Sequence, residues 1–70
     1  MVDMVPIQSS NLRAAGFDEE TSELTVAFRS GKRYVYKGVP NGTLEQLLSA
    51  ASAGKFFNDN IKDVYESEEI

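Results

Sequence analysis

The sequence predicts an α+β domain in which a three-stranded antiparallel β-meander is followed by two C-terminal α-helices packed on one face. A segment with period-two alternation, a tight turn and a segment rich in aromatic and branched residues together indicate a β-hairpin. Beyond Pro40 the apolar spacing changes to three and four residues, which is typical of amphipathic helices. Because the 70 residues contain no repeat and no linker, we expect a single domain over residues 1–70, with 1–5 and 66–70 frayed.

Three segments form the predicted sheet. "SNLRAAGFD" is the first strand, and the polar run "DEETS" is the turn that ends it. "SELTVAFRS" is the second strand, with Leu24, Val26 and Phe28 on one face. "KRYVYKG" is the third strand, and the Pro-Asn-Gly run at 40–42 ends the sheet.

The register of the hairpin decides which way Tyr34 and Tyr36 point. A two-residue loop at Ser30-Gly31 would pair Val26 with Val35 and point both tyrosines outward. It would also require a positive φ at Ser30. A three-residue loop requires a positive φ only at Gly31, which glycine adopts without steric cost. We therefore predict the three-residue loop, which makes both tyrosines part of the core face.

The helical half has two predicted segments. Thr43 and Gln46 fit a capping box that opens the first helix, "TLEQLLSA". Gly54 interrupts the chain, and "KFFNDNIKDVY" is the second helix. The predicted core consists of Leu12, Phe17, Leu24, Val26, Phe28, Leu44, Leu47, Leu48, Phe57, Ile61 and Val64.

The charge distribution limits the possible partners. The formal net charge of −4 argues against a general nucleic-acid binder, whose affinity comes largely from neutralising phosphates. However, no acid lies between Leu24 and Leu44. The cations of that segment are Arg29, Lys32, Arg33 and Lys37. We interpret them as a solvated hairpin surface that protects a sheet edge, and the alternative is a local cationic patch.

The composition argues against catalysis. The chain has no His and no Cys, so the usual general base, Ser-His-Asp triads and soft metal ligands are absent. "SAGKFF" departs from the phosphate-loop pattern at Ser49 and Phe56. We expect no enzyme activity, no cofactor and no metal. No apolar run approaches the roughly 20 residues that span a bilayer, and we expect a cytoplasmic protein without membrane contact.

One polar constellation stands out in the second predicted helix. Its stripe consists of Lys55, Asn58, Lys62 and, at the margin, Tyr65. Gly54 and Lys55 stand at the predicted helix start, where backbone N–H groups favour an anion. A phosphate or carboxylate site is one interpretation. The other is an ordinary solvated helix face with Lys55 and Asp59 as an i,i+4 ion pair.

The motifs "SSNL", "YVY", "VP" and "SAGKFFNDNIKDVY", in this order, resemble the KTSC domain over nearly the whole chain, from about Val5 to Tyr65. This family occurs as small bacterial or phage proteins and at the C-terminus of some lysyl-tRNA synthetases. The residues that match its signatures are Ser9, Ser10, Asn11, Tyr34, Tyr36, Ser52, Gly54, Lys55, Phe56, Phe57, Asn58, Ile61, Lys62 and Tyr65.

The resemblance implies a binding function, because RNA binding has been suggested for the family and several signature residues are polar. Our leading hypothesis is a non-catalytic module for RNA, including tRNA, or for a smaller phosphate-bearing ligand. The candidate ligand-binding residues are Ser10, Asn11, Tyr34, Tyr36, Gly54, Lys55, Asn58, Lys62 and Tyr65. The alternative is a protein-interaction or homo-oligomerisation domain, including a phage-type oligomer that sequesters a nucleotide signal.

Overall fold

The computed structural model of this chain describes residues 3–70, and in that range it contains five strands and two helices. In chain order they are β1 (Val5–Pro6), β2 (Leu12–Asp18), β3 (Glu23–Phe28), β4 (Arg33–Tyr36), α1 (Thr43–Ser49), α2 (Ala53–Asn60) and β5 (Ser67–Glu69). The strands form one antiparallel sheet in the order β1-β2-β3-β4-β5. The predicted α+β class is confirmed, but the three-stranded meander is extended by one strand at each edge.

The two additional strands lie where we expected frayed ends. In β1, Val5 pairs with Ala15 of β2, and in β5, Ser67 pairs with Tyr36 of β4. The expectation of frayed ends at residues 1–5 and 66–70 is therefore wrong for the paired residues, which are Val5 and Ser67–Glu69. Residues 1–2 lie outside the described range. The acidic C-terminal segment shows no apolar alternation. It forms a strand because the edge of β4 offers backbone N–H and C=O groups that need partners.

The predicted hairpin register is confirmed. Val26 lies opposite Tyr34, and Phe28 N–H donates to the Lys32 carbonyl at 2.9 Å, which closes the three-residue loop. Gly31 has a φ of 97°, a left-handed conformation that favours glycine. Both tyrosines therefore share the core face of the sheet, as the loop length predicts.

A β-bulge reshapes the start of β2. Leu12 lies opposite Phe28 whereas Ala14 lies opposite Ala27, so one extra residue is inserted between them. In a regular strand, residues three positions apart point to opposite faces of the sheet. Because of the bulge, Leu12 and Ala15 both face the core. The bulge thus interrupts the regular alternation of side chains at the start of β2.

The capping of α1 differs from the prediction. The residue before the helix is Gly42, with a φ of 93° and no side chain to cap the helix, and Thr43 is the first helical residue. Thr43 is buried instead of exposed at a cap. The capping-box pattern of Thr43 and Gln46 is therefore one residue out of place.

The second helix begins earlier and ends earlier than predicted. Ser52 is its N-cap, and the Ser52 side-chain oxygen accepts a hydrogen bond from Lys55 N–H at 3.3 Å. Gly54 consequently lies inside the first turn and does not interrupt the chain. The helix ends at Asn60, and Asp63 adopts a left-handed conformation with a φ of 65° that turns the chain towards β5.

The core lies between the sheet and the two helices. The buried apolar residues are Ile7, Leu12, Ala15, Leu24, Val26, Tyr36, Val39, Leu47, Ala53, Phe57 and Ile61. Phe17, Phe28 and Leu44 are partly buried against this core. Leu48 and Val64 were wrongly predicted as core: Leu48 is 39% exposed on the flank of α1, and Val64 is 57% exposed because α2 ends before it.

Within residues 3–70, neither helix has the length and apolar character that crossing a membrane requires.

Candidate functional site

A groove of about 790 Å³ opens between the β3–β4 loop, the turn before β2, and α2 with the turn that follows it. We call it the aromatic groove. Most of the predicted site residues line it, although they come from four separate parts of the chain. These residues are Ser10, Asn11, Tyr34, Tyr36, Gly54, Asn58 and Lys62.

Four aromatic side chains form the floor of the aromatic groove. Phe28 packs edge-to-face on Tyr34 and on Phe57, with ring centroids 5.7 Å and 5.4 Å apart. Phe57 also packs edge-to-face on Tyr36 at 5.5 Å. Such pairs contribute stability beyond the area they bury. The floor is therefore held by its own contacts, and Tyr34, which is half-buried, is more exposed than Tyr36.

Burial raises the pKa of the Tyr36 phenol above its ordinary value of 10.0, and the neighbouring Tyr34 and Asp63 add to the rise. Tyr36 is only 5% exposed. Its phenol is therefore neutral at physiological pH, and the residue is a structural part of the floor more than a contact surface.

The aromatic groove is cationic although the protein is acidic. Arg29, Lys32 and Lys62 line it, against a single lining carboxylate, that of Asp63. Lys32 and Lys62 form no salt bridge within residues 3–70. Their ammonium groups are thus available to an anionic ligand. The sequence left open that the hairpin cations form a local cationic patch. The groove supports this alternative for Arg29 and Lys32. Arg33 and Lys37 do not line the groove.

Ser9 shapes the turn that presents Ser10 and Asn11. The Ser9 hydroxyl oxygen accepts hydrogen bonds from the N–H groups of Asn11 (3.2 Å) and Leu12 (3.3 Å). The Ser9 carbonyl accepts a hydrogen bond from Arg29 Nε at 2.6 Å. This contact joins the turn to the β3–β4 loop, so both sides of the groove entrance are held together.

A second, smaller cavity of about 410 Å³ adjoins the aromatic groove. It is lined mainly by hydroxyl and amide side chains, and we call it the polar cavity. Ser10, Asn11, Gly54 and Asn58 line both spaces. A methyl group on Gly54 would meet the Ser9 hydroxyl at 3.5 Å, an ordinary contact, so the turn before β2 lies directly against the start of α2.

Two predicted site residues lie outside the aromatic groove. Lys55 lines the polar cavity, where its ammonium pairs with Asp59 at 3.3 Å, which confirms the predicted i,i+4 pair. Tyr65 lines neither space and is partly buried against the core. The predicted helical stripe from Lys55 to Tyr65 is wrong, because α2 ends at Asn60.

Several lining residues were missing from the predicted site. They are Leu12, Phe28, Arg29, Ser30, Lys32, Phe57, Asp63 and Ser67. Arg29 and Lys32 stood out in the sequence as part of the acid-free segment, and this signal could have found them. Asp63 and Ser67 had no such signal, because they reach the groove only through the turn after α2 and the pairing of β5.

The arrangement suits a flat, anionic ligand. Aromatic faces stack on planar rings, ammonium and guanidinium groups attract phosphates or carboxylates, and the amides of Asn11 and Asn58 both donate and accept hydrogen bonds. Within residues 3–70, no group of three or more carboxylates converges in a way that could hold a metal ion.

Comparison with known proteins identifies the family. The sequence profile of the KTSC domain matches residues 8–65. The chain belongs to the KTSC domain family. A crystal structure of a KTSC domain protein from Yersinia pestis superposes with a TM-score of 0.95 at 31% sequence identity, covering 100% of this chain and 99% of that one. The match confirms the resemblance drawn from the signature motifs.

Related sequences occur as small proteins and inside a larger one. The chain is 45% identical over 58 residues to an uncharacterized protein of Stutzerimonas stutzeri, covering 83% of this chain and 82% of that protein. It is 39% identical over 59 residues to a protein of Tsukamurella paurometabola, covering 84% and 88%. It is also 33% identical over 63 residues to a lysine–tRNA ligase of Nostoc punctiforme, covering 90% of this chain but 11% of the ligase.

Proposed function

We propose that this KTSC domain is a non-catalytic binding module for RNA, or for a smaller phosphate-bearing ligand, held in the aromatic groove. One observation carries the proposal: an aromatic floor and three cations meet in one groove, on a protein whose net charge is −4. Stacking of a base on an aromatic side chain contributes about 1–3 kcal/mol, and neutralised phosphates add a salt-dependent contribution.

The individual roles follow from exposure and charge. Tyr34 is half-buried and offers the ring on which a base would stack. Lys32 and Lys62 are exposed and would contact phosphate oxygens. Asn11 and Asn58 would contribute directional hydrogen bonds to sugar or base groups, since an amide offers both donors and an acceptor.

The relatives support RNA as the ligand class. The lysine–tRNA ligases of two Nostoc strains contain a segment related to this domain, and their name includes a tRNA. We propose that the present chain uses its groove for a similar type of ligand in the cytoplasm, where RNA is abundant.

The test is a titration of the ¹⁵N-labelled chain with short single-stranded RNA, tRNA and a panel of nucleotides, at low and near-physiological salt. The proposal expects amide shifts that cluster at Asn11, Tyr34, Asn58 and Lys62, with smaller shifts at higher salt. The amide of Thr25, a residue whose side chain lies on the opposite face of the sheet, serves as the internal control and should not move. An absence of clustered shifts with every ligand would refute the proposal.

A second candidate function is self-association through the face of the sheet opposite the helices. Ala14, Thr25, Ala27 and Val35 alternate with the inward-facing residues, and all four are partly exposed and small or branched. A second copy of the chain could pack on such a flat face. Light scattering after size-exclusion chromatography, over a range of concentrations and salt, should then show a salt-insensitive dimer that Val35→Lys dissociates. A monomer under all conditions would exclude this candidate.

A further inference from the structure

We propose that the ligand is a single-stranded polynucleotide of at least two nucleotides that runs from the aromatic groove into the polar cavity. The inference rests on the proposed function and adds the length and the strandedness of the ligand. Its basis is that the two spaces are neighbours, since Ser10, Asn11, Gly54 and Asn58 line both. A ligand that extends from the groove past these four residues would therefore enter the polar cavity.

The sizes of the two spaces favour more than one nucleotide. Sites for compact small ligands typically measure about 300–1,000 Å³. The aromatic groove, at about 790 Å³, falls in this range by itself and can take one nucleotide. The polar cavity, at about 410 Å³, falls in the same range, so the two spaces together can hold two successive units of one ligand.

The two spaces differ in chemistry in the way that two successive nucleotides require. The groove is aromatic and carries an excess of cations, so it suits a stacked base and a phosphate. In the polar cavity the charges of Lys55 and Asp59 offset each other, and the remaining lining is largely hydroxyl and amide groups. Such a lining suits ribose hydroxyls and base edges, which donate and accept hydrogen bonds without net charge.

The border between the spaces suits a phosphodiester. It carries the Ser10 hydroxyl and the amides of Asn11 and Asn58, all of which can donate to phosphate oxygens. A base can stack on the aromatic floor only when it is released from a duplex stack, and the ligand is therefore single-stranded.

The experiment compares 5′-phosphorylated diadenosine (pApA) with AMP, because both carry a terminal phosphate and differ by one nucleotide. Each is titrated against the full chain by calorimetry and amide shifts. We expect pApA to bind about tenfold more tightly or better, since the added sugar and base gain hydrogen bonds in the polar cavity. Its additional shifts should appear at residues that line only the polar cavity, such as Gln8 and Ala51.

Two variants separate the polar cavity from the groove. Ala51 is exposed, lies outside both helices and lines only the polar cavity, so Ala51→Phe fills this cavity without touching the groove. It should reduce the pApA affinity to that of AMP and leave AMP binding unchanged, whereas Ala51→Ser should affect neither. Gln8→Ala, which removes one amide, should weaken only pApA, by about three- to tenfold.

The outcomes distinguish this inference from the proposed function. Equal affinities for pApA and AMP, or an equal loss of both in Ala51→Phe, would overturn the dinucleotide path while leaving the groove as a nucleotide site. An absence of binding for both ligands would refute the inference, and the titration with longer RNA and tRNA then decides the proposed function separately.

Discussion

Removal of the Lys62 ammonium provides the sharpest test of the groove's electrostatics. Lys62 lines the aromatic groove, is exposed and forms no salt bridge within residues 3–70. Each phosphate neutralised on a single strand contributes about −0.7 to the slope of log K against log salt. With three lining cations the slope for a short single-stranded RNA is at most about −2, and Lys62→Ala should reduce it to about −1.4.

The assay is fluorescence anisotropy of a labelled oligonucleotide over a series of salt concentrations. Lys37→Ala is the matched control, because Lys37 is an exposed lysine that lines neither cavity. Exposed substitutions of this kind change stability by less than about 0.5 kcal/mol, so both variants should melt within about 4 °C of the parent chain. An unchanged slope in Lys62→Ala, or the same decrease in Lys37→Ala, would refute the reasoning.

Three further predictions concern stability. Phe57→Leu should lower the free energy of unfolding by about 1–3 kcal/mol more than Phe56→Leu. The reason is that Phe57 makes two edge-to-face aromatic pairs, whereas no such pair involves Phe56 within residues 3–70. Equal losses for the two variants in urea denaturation would contradict this. Gly31→Ala should destabilise by about 1–2 kcal/mol through its positive φ alone, since within residues 3–70 no atom other than those of its chain neighbours lies within 4 Å of the added methyl. A loss near zero would mean that the loop adopts another conformation. Because the pKa of Tyr36 is raised in the folded state, its contribution to stability is complete below pH 10 and is lost as pH rises through the folded pKa. Urea unfolding at pH 8 and above pH 10 should show a smaller alkaline loss in Tyr36→Phe, and an equal loss would exclude this linkage.

The candidate site was predictable in part because several of its residues belong to short local motifs. The signature motifs and the acid-free hairpin segment pointed to Asn11, Tyr34, Asn58 and Lys62, which the fold brings into one groove. The predicted helical stripe failed because it assumed that α2 continues to Tyr65. Helix ends depend on capping and on the packing of the residues beyond the last turn, and apolar spacing alone does not contain that information.

Local sequence patterns were enough to predict the class of fold and the register of the central hairpin. Period-two alternation and the conformational freedom of Gly31 are local properties, and they decided that the tyrosines face the core. The pairing of the acidic end as β5 depends on the tertiary structure, and so does the placement of Lys55 in the polar cavity and of Lys62 in the aromatic groove. Edge pairing and cavities arise from contacts between distant segments, and no short window of sequence contains both partners of such a contact.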